Sequence, residues 1–147
     1  MIKMVSVFDV AKYILEKQGP VSTWKLQKLC YYAQAWSIAW TDNPIFQEDF
    51  EAWANGPVCP VLYAAHKGKY LVKADDIFSG DSSNLTAEQK DDIDVVLKHY
   101  GPWDPYTLRE QTHSEEPWKE ARGNMPEGVR SNSRITKQSM GAYYGSL

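Results

Sequence analysis

The stretch Trp24-Lys-Leu-Gln-Lys-Leu-Cys-Tyr-Tyr-Ala-Gln-Ala-Trp-Ser-Ile-Ala-Trp40 holds neither glycine nor proline, and its reading decides the fold. Leu26, Leu29, Ala33, Trp36 and Trp40 form one apolar stripe at helical spacing, while Trp24, Tyr31, Ala35 and Ile38 cover a second side. Gln27, Gln34 and Thr41 recur at a seven-residue interval and read as a narrow polar strip. A helix that is apolar over most of its circumference belongs at the centre of a core. Ser22 or Thr23 caps its start, and Asp42-Asn43-Pro44 ends it.

Outward from this helix the punctuation is clear. Ser6, with Asp9 three residues on, starts a preceding helix that buries Val7, Val10, Ala11, Ile14 and Leu15 and stops at Gly19-Pro20. Downstream the period changes: Phe50, Ala52 and Ala54 alternate with Glu51, Trp53 and Asn55, which predicts a strand or extended arm within residues 45–55. Asn55-Gly56-Pro57 is a turn, and a short helix follows within Val58 to Gly68, with Val61, Leu62 and Ala65 inward. Residues 69–83 read as an irregular connection with room for one short strand within 70–78. Thr86-Ala-Glu-Gln89 has capping-box spacing before a helix that Gly101-Pro102 ends. Asp104-Pro105 opens another helix to Thr112, and Ser114-Glu-Glu-Pro-Trp118 opens one through Arg122. Residues 123–131 read as a loop and 133–144 as a weakly patterned last helix. The fold class expected is mainly α: one compact helical domain over 1–147, its core within about 5–122, and 123–147 a loop with a C-terminal helix or tail.

The 147 residues fit a single domain. Hydrophobic residues at 43% and charged residues at 24% exclude a disordered chain. Six Trp, nine Tyr and four Phe are a heavy aromatic load, to be divided between core and recognition surface. The net charge of −3 disfavours a general nucleic-acid binder, although the acidic excess sits in the middle of the chain and both ends are basic. No apolar run is long enough for a membrane span, and the first seventeen residues are too charged for a signal peptide. The expected compartment is therefore the cytoplasm, where Cys30 and Cys59 stay reduced and Asn84-Leu-Thr86 goes unglycosylated.

Chemistry is poorly represented. Ser22-Thr-Trp-Lys25 matches the SxxK pattern of penicillin-recognising enzymes, but a helix cap followed by a surface lysine explains the same letters. His66, His99 and His113 lack metal-ligand spacing, and no phosphate-binding glycine motif is present. The carboxylates of Asp91, Asp92 and Asp94 fall early in a helix, where they complement its dipole. No catalytic residue, metal or cofactor is expected.

Three blocks carry a family likeness. Lys25-Leu-Gln-Lys28-Leu-Cys-Tyr31-Tyr32-Ala-Gln-Ala-Trp36, then Phe50-Glu-Ala-Trp53-Ala-Asn-Gly56-Pro57-Val58 with Tyr63, then Leu108-Arg-Glu-Gln-Thr112-His113-Ser-Glu-Glu-Pro117-Trp118, resemble the Panacea domain of SocA-type antitoxins, also called phage-associated GepA-like proteins. The resemblance implies a helical domain of bacterial or prophage toxin–antitoxin loci that neutralises a cognate toxin. In the name-giving system this works by delivery to an ATP-dependent protease; in others, by direct binding. It supplies no catalytic residues. Aromatic or cationic side chains without an evident core slot, namely Lys25, Lys28, Tyr32, Trp53 and Tyr63, are the expected partner contacts. His113 and Trp118 read as an anchored pair, structural or functional. Two other classes stay in view: a small hydrolase or metal-dependent enzyme centred on His113, and a phage-encoded regulator binding nucleic acid through the basic ends.

Overall fold

The computed structural model describes residues 4–147; Met1 to Lys3, part of the stretch read for a signal peptide, lie outside the described residues. Its elements in chain order are α1 (Val7–Gln18), β1 (Val21–Ser22), α2 (Thr23–Thr41), β2 (Phe50–Trp53), β3 (Gly56–Val58), α3 (Pro60–His66), β4 (Leu71–Val72), α4 (Ala87–Tyr100), α5 (Pro105–Ser114), α6 (Glu116–Arg122), β5 (Arg134–Ile135) and α7 (Lys137–Gly145). The fold is mainly α, as the periodicity predicts.

Helix α2 is the axis. The Ser22 hydroxyl accepts the Lys25 amide at its start, and Asp42 closes it in the left-handed conformation at φ 61°. Helices α1, α3, α4, α5 and α7 all pack on it. Leu26, Leu29, Cys30, Tyr31, Tyr32, Ala33 and Ala35 are buried, and each large apolar side chain so buried stabilises by about 1.5–3 kcal/mol.

Small antiparallel sheets brace the bundle. β1 pairs with β4, setting Val21 opposite Val72, and β2 is flanked by β3 and β5. In the β2–β3 hairpin Trp53 faces Gly56 across the tip residues Ala54 and Asn55. Phe50 and Ala52 point inward while Glu51 and Trp53 are half-buried, the alternation expected.

The polar strip of α2 is buried at Gln27 and Gln34, where it satisfies backbone: Gln27 Oε1 accepts the Cys59 amide at 2.8 Å, and Gln34 donates to the Phe46 carbonyl at 2.7 Å and accepts the Ile45 amide at 2.8 Å. Several expectations are corrected. Trp40 ends its stripe 45% exposed. In α3, Leu62 and His66 turn inward, whereas Val61 and Ala65 face solvent. The core does not end near residue 122: Met140 and Tyr144 of α7 are buried against α2, and Ile135 of β5 is buried beside Phe50. α6 is capped at Glu115 rather than Ser114, since α5 runs on through Ser114.

Candidate functional site

The β2–β3 hairpin is where the three sequence blocks meet. From α6, the Trp118 indole N–H donates to the Trp53 carbonyl at 2.9 Å. Arg122 ties β2 to the following loop, donating to the carbonyls of Ala52, Pro126 and Val129 at 3.1, 2.8 and 2.7 Å, with its guanidinium 4.8 Å from the Trp118 ring centre. Gly56 sits at φ +114°, a conformation that favours glycine. It is also pressed so closely that an added Cβ would collide with Lys28 Cε and lie 3.1 Å from Thr112 Oγ1.

Two recesses open on this face and share Trp24 and Asn55. The larger, about 660 Å³, is lined further by Glu51, Trp53, Ala54, Arg130, Ser131 and Asn132. The smaller, about 200 Å³, is bounded by Lys28, Pro105, Tyr106 and Arg109.

The expected contact residues fall into different environments. Trp53 is half-buried on the larger recess, its indole donating to Glu51 at 2.8 Å and its ring edge-to-face with Tyr63 at 5.0 Å. Tyr63 is likewise half-buried. The Lys25 ammonium donates to the Gly101 carbonyl at 2.6 Å, holding the end of α4, and burial lowers its pKa. Tyr32 has a core slot after all: it stacks on Tyr100 at 4.0 Å and donates to Glu115 Oε1 at 2.8 Å. Burial first, then the Glu115 charge, push its hydroxyl far above the usual tyrosine range. Buried, with its hydroxyl already committed to Glu115 and bordering neither recess, Tyr32 leaves that set.

Lys28 is the outlier. Its side chain is 1% exposed, yet its ammonium has no hydrogen-bond partner among the described residues. The nitrogen lies 5.4 Å from the Trp24 ring centre, and desolvation, with the Arg109 charge adding to it, pushes its pKa down to about 7.

His113 and Trp118 are indeed paired, with rings parallel within 8° at 3.9 Å. His113 Nδ1 lies 3.1 Å from Glu127 Oε1, its Nε2 is buried with no hydrogen-bond partner among the described residues, and burial lowers its pKa. It borders neither recess. Among the described residues no three His, Cys, Asp or Glu side chains are grouped to hold a metal ion, and no helix is long and apolar enough to cross a membrane.

Sequence reasoning missed Arg109, Tyr106 and Asn55 as recess walls. The Leu108-Arg-Glu-Gln-Thr112 run was the available signal, since one helical turn separates Arg109 from Thr112 beside Gly56.

A helical domain built round one buried axis, with a recessed aromatic and cationic face at a hairpin, defines the class. The chain belongs to the SocA-like antitoxin family: the family described as "Antitoxin SocA-like, Panacea domain" matches residues 26–119. It is also 37% identical over 81 residues to "Antitoxin SocA" of Caulobacter vibrioides (strain NA1000 / CB15N), covering 48% of this chain and 43% of that protein. The match thus spans less than half of that relative's length. No solved structure matches the chain.

Proposed function

We propose that this chain is a non-enzymatic, cytoplasmic antitoxin of a bacterial or prophage toxin–antitoxin system that binds and neutralises a cognate toxin protein. Membership of the SocA-like Panacea family is the observation that carries this reading. The hairpin face is its proposed contact surface: Trp53 and Tyr63 pack edge-to-face beside the larger recess, and half-buried aromatics on rigid elements make interface anchors at low entropic cost. Neutralisation runs either through occlusion of the toxin or through its delivery to an ATP-dependent protease.

Co-expression with the protein encoded next to it tests the proposal. The neighbouring protein alone should arrest growth, and this chain should restore it; no rescue by a folded chain contradicts the antitoxin role. Trp53→Ala should weaken the complex by tenfold or more at unchanged helical content, and an unchanged affinity moves the interface elsewhere. Toxin half-life separates the two routes: proteolytic delivery shortens it, whereas occlusion leaves it unaltered.

A further inference from the structure

The smaller recess has a built floor and an unmet charge. Lys28 projects from the second turn of α2 into a buried position, where a charged side chain is costly unless paired. Its ammonium is buried, hydrogen-bonded to nothing among the described residues, and held between the Trp24 ring and the Gly56 backbone. A Cβ at Gly56 would crowd the end of the Lys28 side chain, and the φ of +114° favours glycine there as well. The hairpin thus closes over an amine that has no hydrogen-bond or anionic partner among the described residues.

The walls define what would complete it. Arg109 is already neutralised: its guanidinium donates to Glu110 Oε1 at 2.9 Å and to Asn55 Oδ1 at 3.3 Å, and lies 3.8 Å from Glu127 Oε1. The uncompensated charge at the recess is thus the single positive charge of Lys28. One monoanion balances it, whereas a phosphate dianion would bring a second charge against Glu110 and Glu127. Trp24, at 36% exposure, and Tyr106, at 68%, give the mouth an aromatic rim suited to the short apolar stem of an acidic side chain.

From this geometry we infer that the recess between α2, α5 and the β2–β3 hairpin is a carboxylate-binding pocket, in which Lys28 takes an aspartate or glutamate side chain of the protein partner. The inference rests on the antitoxin reading for the identity of that partner. An ammonium that is buried and unpaired in the free protein becomes charge-paired in the complex, which makes Lys28 an affinity and specificity determinant.

Two measurements on the full chain test it. In the first, sodium propionate and, at matched ionic strength, sodium phosphate are titrated into the free protein while the Lys28 side-chain NMR resonances are followed. Propionate should shift them saturably in the millimolar range and phosphate should not; no shift with propionate, or a shift with phosphate alone, overturns the pocket. In the second, Lys28→Met, which keeps the length of the side chain and removes its charge, should bind the neighbouring toxin at least tenfold more weakly than wild type with no fall in melting temperature. Undiminished toxin binding by Lys28→Met overturns the assignment to the partner. If wild type itself binds no toxin, the antitoxin reading fails while the propionate titration still decides the pocket. That titration needs no variant, so a misfolded Lys28→Met does not shelter the inference.

Discussion

Glu115 and Lys28 are both buried ionisable residues touching α2 from opposite sides of the charge scale, and the protein treats them differently. Around Glu115 the polar atoms are met: Oε1 accepts the hydroxyls of Tyr32 at 2.8 Å and Tyr144 at 2.7 Å, and Oε2 accepts the Gln111 amide at 3.0 Å. The same cluster is closed by Tyr31 against the Tyr144 hydroxyl at 3.2 Å and by Trp36 donating to Tyr100 at 3.1 Å. The Lys28 ammonium has no hydrogen-bond partner among the described residues. A fully satisfied polar network specifies a core, whereas an unsatisfied charge costs stability and persists where something other than packing uses it.

That contrast is easiest to break at its satisfied end. Glu115→Leu removes the shared acceptor of two buried tyrosine hydroxyls, leaving Tyr32 unpaired and Tyr144 with Tyr31 alone, and should lower stability by about 3 kcal/mol, read by urea denaturation. A loss below about 1 kcal/mol would mean that the network does not act as a unit.

Lys28→Met should move stability the other way, raising it by roughly 2 kcal/mol at neutral pH because an unpaired buried charge is removed. The sign follows from linkage: the folded amine titrates at about 7, and the unfolded one at about 10.4. Below the first value both states are charged and the folded state carries the whole penalty; above the second both are neutral and it vanishes. Wild-type stability should therefore rise relative to Lys28→Met as pH increases from 7 toward 10. A constant difference across that window contradicts the assignment.

The smallest effect falls between the two regions. Trp118→Phe keeps the stacking on His113 and loses the indole bond to the Trp53 carbonyl, which should cost about 1 kcal/mol in the same denaturation series.

The helices were legible because their caps and periods are local properties of the chain. Ser22, Thr86 and Asp104 each cap the helix that their spacing announces. The spacing of Gln27 and Gln34 marks a polar strip but not its burial, because a glutamine that satisfies buried backbone has the same letters as one facing water; only the approach of Cys59 and Phe46 separates the two. β5, two residues long, has no period to read, and it pairs with β2 across more than eighty positions of sequence. Of the expected contacts, Trp53 and Tyr63 sit together at the hairpin, while Tyr32 went to the aromatic core because Tyr100 and Glu115 reach it from α4 and the α5–α6 junction. Lys28 was singled out as a cation lacking a core slot; the slot exists, but without a partner in it. Hydropathy cannot express that distinction, since it assigns a lysine to solvent by default.

The most direct test is the pKa of Lys28 itself, from the pH dependence of its side-chain carbon resonance in the free protein. An amine held without a partner in the recess titrates near 7. A midpoint near the ordinary lysine value of about 10.4 would show that the charge is solvated or paired, and the contrast with Glu115, together with the pocket built on it, would be wrong.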